Sequence, residues 1–211
     1  MITLSQLYAI LDVAFFPDND AFLAAAQELT AGGVTLLQYR NKSGNARQML
    51  DQARELRERC SRARAPAPHG VRLIMNDRAD LCTTAGYAGV HLGQDDLSPE
   101  GARKVIGESL WLGVSTHNPA QVTEADKTPA DYIAIGPVFA TASKANPDPV
   151  IGLEGVRQAR ALTRKPLVAI GGITRANCRS VIEAGADSVA VISDLLRDPR
   201  KSAEEFFHIL R

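Results

Sequence analysis

The chain has 211 residues, 45% hydrophobic and 23% charged, an ordinary balance for a soluble globular protein long enough to bury a sizeable core. Lys and Arg total 24, as do Asp and Glu, so the basic excess that usually marks a nucleic-acid-binding surface is missing. No apolar run approaches membrane-spanning length, Cys60, Cys82 and Cys178 form no CxxC pair, and the N-terminal MITLSQLYAILDVAFFPDND has no basic leader. The expectation is a cytoplasmic protein with no membrane or nucleic-acid partner, no zinc site and no disulfide framework.

Short apolar runs alternate with helical patterns along the whole chain. The runs are LYAILD (7–12), TLLQYR (35–40), VRLIMND (71–77), GVHLGQ (89–94), WLGVST (111–116), YIAIGPV (132–138), PLVAIGG (166–172) and SVAVISD (188–194). Between them lie candidate helices such as AFLAAAQELTAG, ARQMLDQARELRERCSRARA and LEGVRQARALT, with Asn118-Pro119 opening one and Gly185 closing another. Runs made almost wholly of Val, Ile, Leu and Ala belong to a parallel sheet covered by helices. Eight β-α units in about 200 residues predict a TIM (β/α)8 barrel, an α/β fold, as one domain over residues 1–211. A doubly wound open sheet usually has fewer strands, and no G-x-G-x-x-G follows the first run.

In a barrel of this kind the site lies at the C-terminal ends of the strands. The second run ends with Gln38, Arg40 and Lys42, which alternation places on one face. The third ends with Asn76 and Asp77, which suit a helix cap as well as a site. The fourth leads to Gln94, Asp95 and Asp96, and the fifth to Ser115, Thr116 and His117, where His117 fits an orienting, acid/base or turn role. Two cations and two separated carboxylates around one mouth suit a diphosphate with Mg2+, held by Asp77 and Asp96 while Arg40 and Lys42 meet the remaining charge. The long sixth loop, with Thr141, Ser143 and Lys144, reads as a phosphate-binding loop or a plain surface excursion. The seventh run ends with Gly171-Gly172 and the eighth with Ile192-Ser193-Asp194, and the loops that follow these two strands are a frequent phosphate site in this fold. Two anion sites fit two phosphorylated substrates.

Other features read as structural. The basic stretch ARELRERCSRARA also carries Glu55 and Glu58 and suits a solvated helix face, while Trp111, Phe206 and Phe207 suit packing. His69, His91 and His208 have no carboxylate at a spacing that suggests a metal site.

Taken in order, QYRNK, MND, HLGQDD, GVSTH, GPVFATASK, AIGGIT and AVIS resemble the motifs of the thiamine-phosphate synthase (thiamin phosphate pyrophosphorylase) family, over nearly the whole chain. The ordered set is the specific part, since GGI or HLGQ alone is shared with other phosphate-binding barrels. The resemblance implies a transferase of thiamine biosynthesis. It would join 4-amino-2-methyl-5-hydroxymethylpyrimidine diphosphate to a thiazole phosphate, with Mg2+ as cofactor. It implies pyrimidine diphosphate contacts from the Gln38, Tyr39, Arg40, Asn41, Lys42 stretch and from Asn76, Ser115 and Lys144. Mg2+ would lie on Asp77 and Asp96, and the thiazole phosphate on Thr141, Ala142, Ser143, Gly172, Ile192 and Ser193. Arg40, Lys42, Lys144 and Ser115 would act in catalysis. Asn41 departs from the pattern, being acidic in many members. Rival expectations are a thiazole tautomerase using His117 as acid/base, a non-catalytic thiazole-phosphate-binding regulator and, more remotely, another phosphosugar isomerase or aldolase barrel. Oligomeric state is not legible, which leaves a homo-oligomer open.

Overall fold

The computed structural model describes residues 2–62, 70–141 and 148–211. Eight strands form in the expected order: β1 (Leu7–Asp12), β2 (Leu36–Arg40), β3 (Arg72–Asn76), β4 (Gly89–Leu92), β5 (Trp111–Thr116), β6 (Tyr132–Ile135), β7 (Leu167–Ile170) and β8 (Ser188–Val191). Each runs parallel to its sequence neighbour, and β8 returns to pair with β1, setting Tyr8 opposite Ala190 and closing the barrel.

The alternation of side chains along a strand separates two apolar layers. Inside the barrel pack Tyr8, Ile10, Leu36, Ile74, Tyr132, Ala134, Val168 and Ala190. The intervening positions, among them Leu7, Ala9, Leu11, Leu37, Tyr39, Leu73 and Met75, face the helices. Both faces are therefore apolar, which explains why the strands read as continuous hydrophobic runs. Burying one such aliphatic side chain fully contributes roughly 1.5–3 kcal/mol.

The outer layer holds α1 (Asn19–Ala31), α2 (Ala46–Arg62), α3 (Ala79–Ala85), α4 (Pro99–Ile106), α5 (Pro119–Lys127), α6 (Gly152–Leu162), α7 (Cys178–Glu183), α8 (Ser193–Leu196) and α9 (Pro199–Leu210). Several starts follow from their capping residues. Asp18 accepts from Ala21 N at 2.8 Å, Ser98 from Gly101 N at 3.2 Å and Asn118 from Gln121 N at 3.0 Å, with proline at the first helical position of α4 and α5.

The runs read as 89–94, 132–138, 166–172 and 188–194 leave the ladder two or three residues early. Ile192 to Asp194 are not strand: Ile192 caps α8 and Ser193 begins it. The three cysteines are free and buried, and burial pushes the Cys60 thiol up to about 11 and Cys82 to about 12. Trp111 stacks under the Arg72 guanidinium, 4.0 Å from its ring centroid, and Phe206 is fully buried in the outer core. Among the described residues, no helix is long and apolar enough to cross a membrane.

Candidate functional site

Interior-facing positions at the C-terminal strand ends are polar, and they converge. β1 contributes Asp12, β2 Gln38 and Arg40, β3 Asn76, β4 His91 and β5 Ser115. Asp12 is buried; its carboxylate accepts from Ala14 N at 3.0 Å and from the Arg40 guanidinium. The register explains the pairing, because Asp12 lies directly opposite Arg40 across β1 and β2. The ion pair holds Arg40 at the barrel wall with 23% of its side chain still exposed to the mouth.

Just beyond β2, Lys42 reaches Asp77, Nζ to Oδ2 at 2.5 Å. Asp77 is the sole non-glycine among the described residues with positive φ, at 62°. A side chain in that region is held there by its surroundings and marks a functional suspect. Asp77 does not cap α3; the cap residue is Arg78, which makes no side-chain capping bond. Burial raises the Asp77 pKa and the adjacent Asp96 carboxylate raises it further, against the lowering effect of Lys42. Asp96 also accepts from Gly93 N at 2.7 Å, which fixes the loop after β4. Asn76 Nδ2 is buried with no hydrogen-bond partner among the described residues, an orphan donor beside the carboxylates.

Ser115 is tied into a chain of buried polar groups. Its Oγ lies 2.9 Å from His91 Nε2, His91 Nδ1 lies 3.0 Å from Tyr132 Oη, Tyr132 Oη 3.1 Å from Tyr8 Oη, and Gln38 Nε2 donates to Tyr8 Oη at 2.9 Å. Burial pushes His91 down to about 4 even though the Asp96 charge acts in the opposite direction, so its imidazole is neutral at pH 7. Gln94 donates to the Ser115 carbonyl at 2.6 Å.

The loops after β6 and β7 pack closely. Val138 N donates to Ile170 O at 2.9 Å and Phe139 N to Gly171 O at 3.0 Å. Gly172 has φ 63°, and a Cβ there would stand 2.5 Å from Ala140 O, so glycine is needed for both reasons. Thr141 ends the described part of the sixth loop; Ala142, Ser143 and Lys144 lie outside the described residues, as does His69. Gly172, Ile192 and Ser193 sit on the adjoining β7 and β8 exits. His117 is committed to the fold, with Nδ1 2.6 Å from Gly136 O and Nε2 3.5 Å from Asp148.

Two residues of the QYRNK stretch do not point their side chains into the mouth. Tyr39 lies between the sheet and the helices, donates to Gln52 Oε1 at 2.8 Å and packs edge-on against Phe22 and Tyr87. Asn41 shapes the following turn: its Oδ1 accepts from Ser43 N at 3.0 Å and Gly44 N at 2.9 Å, and its Nδ2 reaches Gln52 Oε1 at 3.2 Å. A contiguous motif is divided by strand alternation, leaving only backbone atoms of these two for a ligand.

A family model described as thiamine monophosphate synthase matches residues 7–195. The thiamine-phosphate synthase of Koribacter versatilis is 61% identical over 212 aligned residues, covering 99% of this chain and 97% of the relative. That of Chloroflexus aurantiacus is 43% identical, covering 89% and 83%. The thiamine phosphate pyrophosphorylase of Pyrococcus furiosus superposes with a TM-score of 0.83 at 33% identity, over 97% of this chain and 95% of that one. The chain belongs to the thiamine monophosphate synthase family.

Within this thiamine monophosphate synthase barrel, four polar residues were not foreseen as part of the site: Asp12, Tyr8, His91 and Tyr132. Asp12 had a signal, since it shares the even-numbered face of β1 with Tyr8 and Ile10. The others are single residues whose partners arrive only when the barrel closes. The arrangement can do three things: hold an anion on Arg40 and Lys42, hold a cation on Asp77 and Asp96, and present fixed donors and acceptors from Gln38, Asn76 and Ser115.

Proposed function

We propose that this chain is a thiamine-phosphate synthase, working as one barrel over residues 1–211 in the cytoplasm. It condenses 4-amino-2-methyl-5-(diphosphooxymethyl)pyrimidine with 4-methyl-5-(2-phosphooxyethyl)thiazole to give thiamine phosphate and diphosphate. The observation that carries the reading is the gathering of Arg40, Lys42, Asp77, Asp96, Asn76 and Ser115 at one end of a barrel of that family.

The donor set fits Mg2+. Asp77 and Asp96 are adjacent carboxylates whose mutual repulsion favours a cation between them, and the Lys42 ammonium already lies against Asp77 as a stand-in positive charge. Mg2+ is commonly held by one or two carboxylates plus substrate phosphate oxygens, and Asp77 and Asp96 supply such a pair. When bound there, Mg2+ supplies charge neutralisation on the diphosphate oxygens.

Arg40, Lys42 and Lys144 hold the diphosphate and gain strength as negative charge grows on it. The carbon–oxygen bond at the pyrimidine methylene breaks, and its electron pair leaves with diphosphate. The thiazole nitrogen then gives its lone pair to the methylene carbon, forming the new carbon–nitrogen bond. No proton moves in this step, which suits a site without a poised general base. Gln38, Asn76 and Ser115 orient the aminopyrimidine; Thr141, Ala142, Ser143, Gly172, Ile192 and Ser193 receive the thiazole phosphate. The tautomerase alternative would give His117 the acid/base role.

The test is thiamine phosphate formation from the two substrates with and without Mg2+. Mg2+-dependent product is the expected result. Thiazole phosphate binding with no product would leave the tautomerase or the regulator.

A further inference from the structure

The buried polar chain from Gln38 to Ser115 passes through five residues on five strands: Gln38 on β2, Tyr8 on β1, Tyr132 on β6, His91 on β4 and Ser115 on β5. Gln38 and Ser115 lie toward the C-terminal ends of their strands, and the chain between them is buried throughout, with Tyr8 and Tyr132 about 1% exposed, Gln38 2% and His91 7%. A hydroxyl has one proton to give, and a neutral imidazole has one N–H. The bonds can therefore satisfy every group only if all of them point the same way. If Gln38 Nε2 donates to Tyr8, Tyr8 must donate to Tyr132, and Tyr132 to His91 Nδ1. The imidazole proton then sits on Nε2 and goes to Ser115 Oγ. Ser115 is left with its own proton for a ligand, and Gln38 with its carbonyl oxygen. Reversing one bond would force the reversal of all.

The Gln38 amide, whose Nε2 donates to Tyr8 Oη, selects the first of these two polarities, and we infer that His91, Tyr132 and Tyr8 are positioning residues that fix Ser115 as a donor and Gln38 as an acceptor toward the pyrimidine substrate. This rests on the synthase reading given above. An aminopyrimidine offers exocyclic N–H donors and ring-nitrogen acceptors, which complement that pair. Its 4-oxo counterpart has an exocyclic acceptor and a ring N–H, the opposite pattern. The chain is thus a specificity device: the oxo ring would leave the Ser115 proton without its acceptor and set its oxygen against the Gln38 carbonyl, and only turning over all the buried bonds together would restore both partners. Gly113 supports the arrangement, since a Cβ on that residue of β5 would fall on the Tyr132 phenol. The His91 and Tyr132 rings also stack, with centroids 5.5 Å apart, which fixes the imidazole plane.

Two readouts test the inference. In histidine-15N-labelled protein near neutral pH, the His91 resonances, identified by their loss in His91→Gln, should show a protonated Nε2 and a bare Nδ1. A protonated Nδ1 would overturn the polarity. Separately, kcat/KM is compared for the aminopyrimidine diphosphate and its 4-oxo counterpart. Wild type should prefer the amino substrate by about a hundredfold or more. Tyr132→Phe and Tyr8→Phe, which cut the chain at different points, should lower that ratio about tenfold. Tyr132→Phe should also give a mixture of His91 tautomers. A merely structural tyrosine would lower both rates together, and an unchanged ratio in both variants would overturn the inference. If wild type made no thiamine phosphate at all, the synthase reading would fall, while the His91 tautomer would still decide the polarity.

Discussion

Replacing Asp12 with alanine should release Arg40 and separate two effects that the ion pair combines. The Asp12 carboxylate is 3% exposed and accepts from the Ala14 amide and from Arg40. Breaking a fully buried ion pair costs about 3–5 kcal/mol. Arg40 keeps 23% of its side chain in contact with solvent, so the freed guanidinium can turn to water and the cost falls to about 2 kcal/mol. In a chain of this size that corresponds to a Tm lower by about 4–8 °C. The freed Arg40 also loses its fixed position, and kcat/KM should fall about 10–100-fold. Calorimetry gives the first quantity, and initial rates of thiamine phosphate formation at saturating thiazole phosphate give the second. A double-mutant cycle with Arg40→Ala should show an interaction energy of about 0.5–3 kcal/mol. Wild-type kcat/KM in Asp12→Ala would refute the reasoning, because it would mean that Arg40 finds its catalytic position without the anchor.

Asp77→Asn should cut kcat about a hundredfold or more while leaving stability unchanged or raised. Folding lifts the Asp77 pKa, so the ionised form is disfavoured in the folded state, stability drops as pH rises through that range, and a neutral isostere removes the cost. Near-normal kcat at modest Mg2+ would defeat the metal assignment. For His91 the sign is opposite: a base held down to about 4 is fully stabilising above its unfolded value near 6.5, and stability is lost as pH falls between the two. At about 1.36 kcal/mol per unit the full span is on the order of 3 kcal/mol, and urea unfolding at pH 7 and pH 5 should show part of it; a flat profile would contradict the buried neutral imidazole. Gly172→Ala places a Cβ 2.5 Å from Ala140 O at φ 63° and should cost about 1–3 kcal/mol. It should also raise KM for thiazole phosphate more than for the pyrimidine substrate, and equal changes in both would remove Gly172 from the phosphate site.

The barrel was legible because both faces of each strand are buried, which leaves eight unbroken apolar runs in the sequence. The exits were less clear. YIAIGPV and SVAVISD read as strand to their ends because Val138 and Ile192 carry the apolar pattern into the loops, yet pairing stops at Ile135 and Val191. Arg40, Lys42, Asp77 and Asp96 stood out as charges closing apolar runs. Asp12 closes one too, but the short 310 turn after it reads as more of the same apolar segment, and its partner is 28 residues away. His91 looked idle because its partners, Tyr132 and Ser115, are brought to it by strand pairing rather than by spacing. Tyr39 and Asn41 were grouped with the site for the converse reason: adjacency in a motif says nothing about which side of the sheet a residue occupies.

That division of β2 has a consequence for how the protein can vary. Leu37 and Tyr39 belong to the layer under the helices, while Gln38 and Arg40 belong to the mouth. A saturation scan from Leu37 to Arg40 should therefore alternate in phenotype with a period of two: substitutions at Leu37 and Tyr39 lower yield and melting temperature, and substitutions at Gln38 and Arg40 lower turnover in protein that still accumulates. Neighbours in the chain answer to separate selective pressures, so the packing of this strand can drift among lineages while its chemistry stays constant.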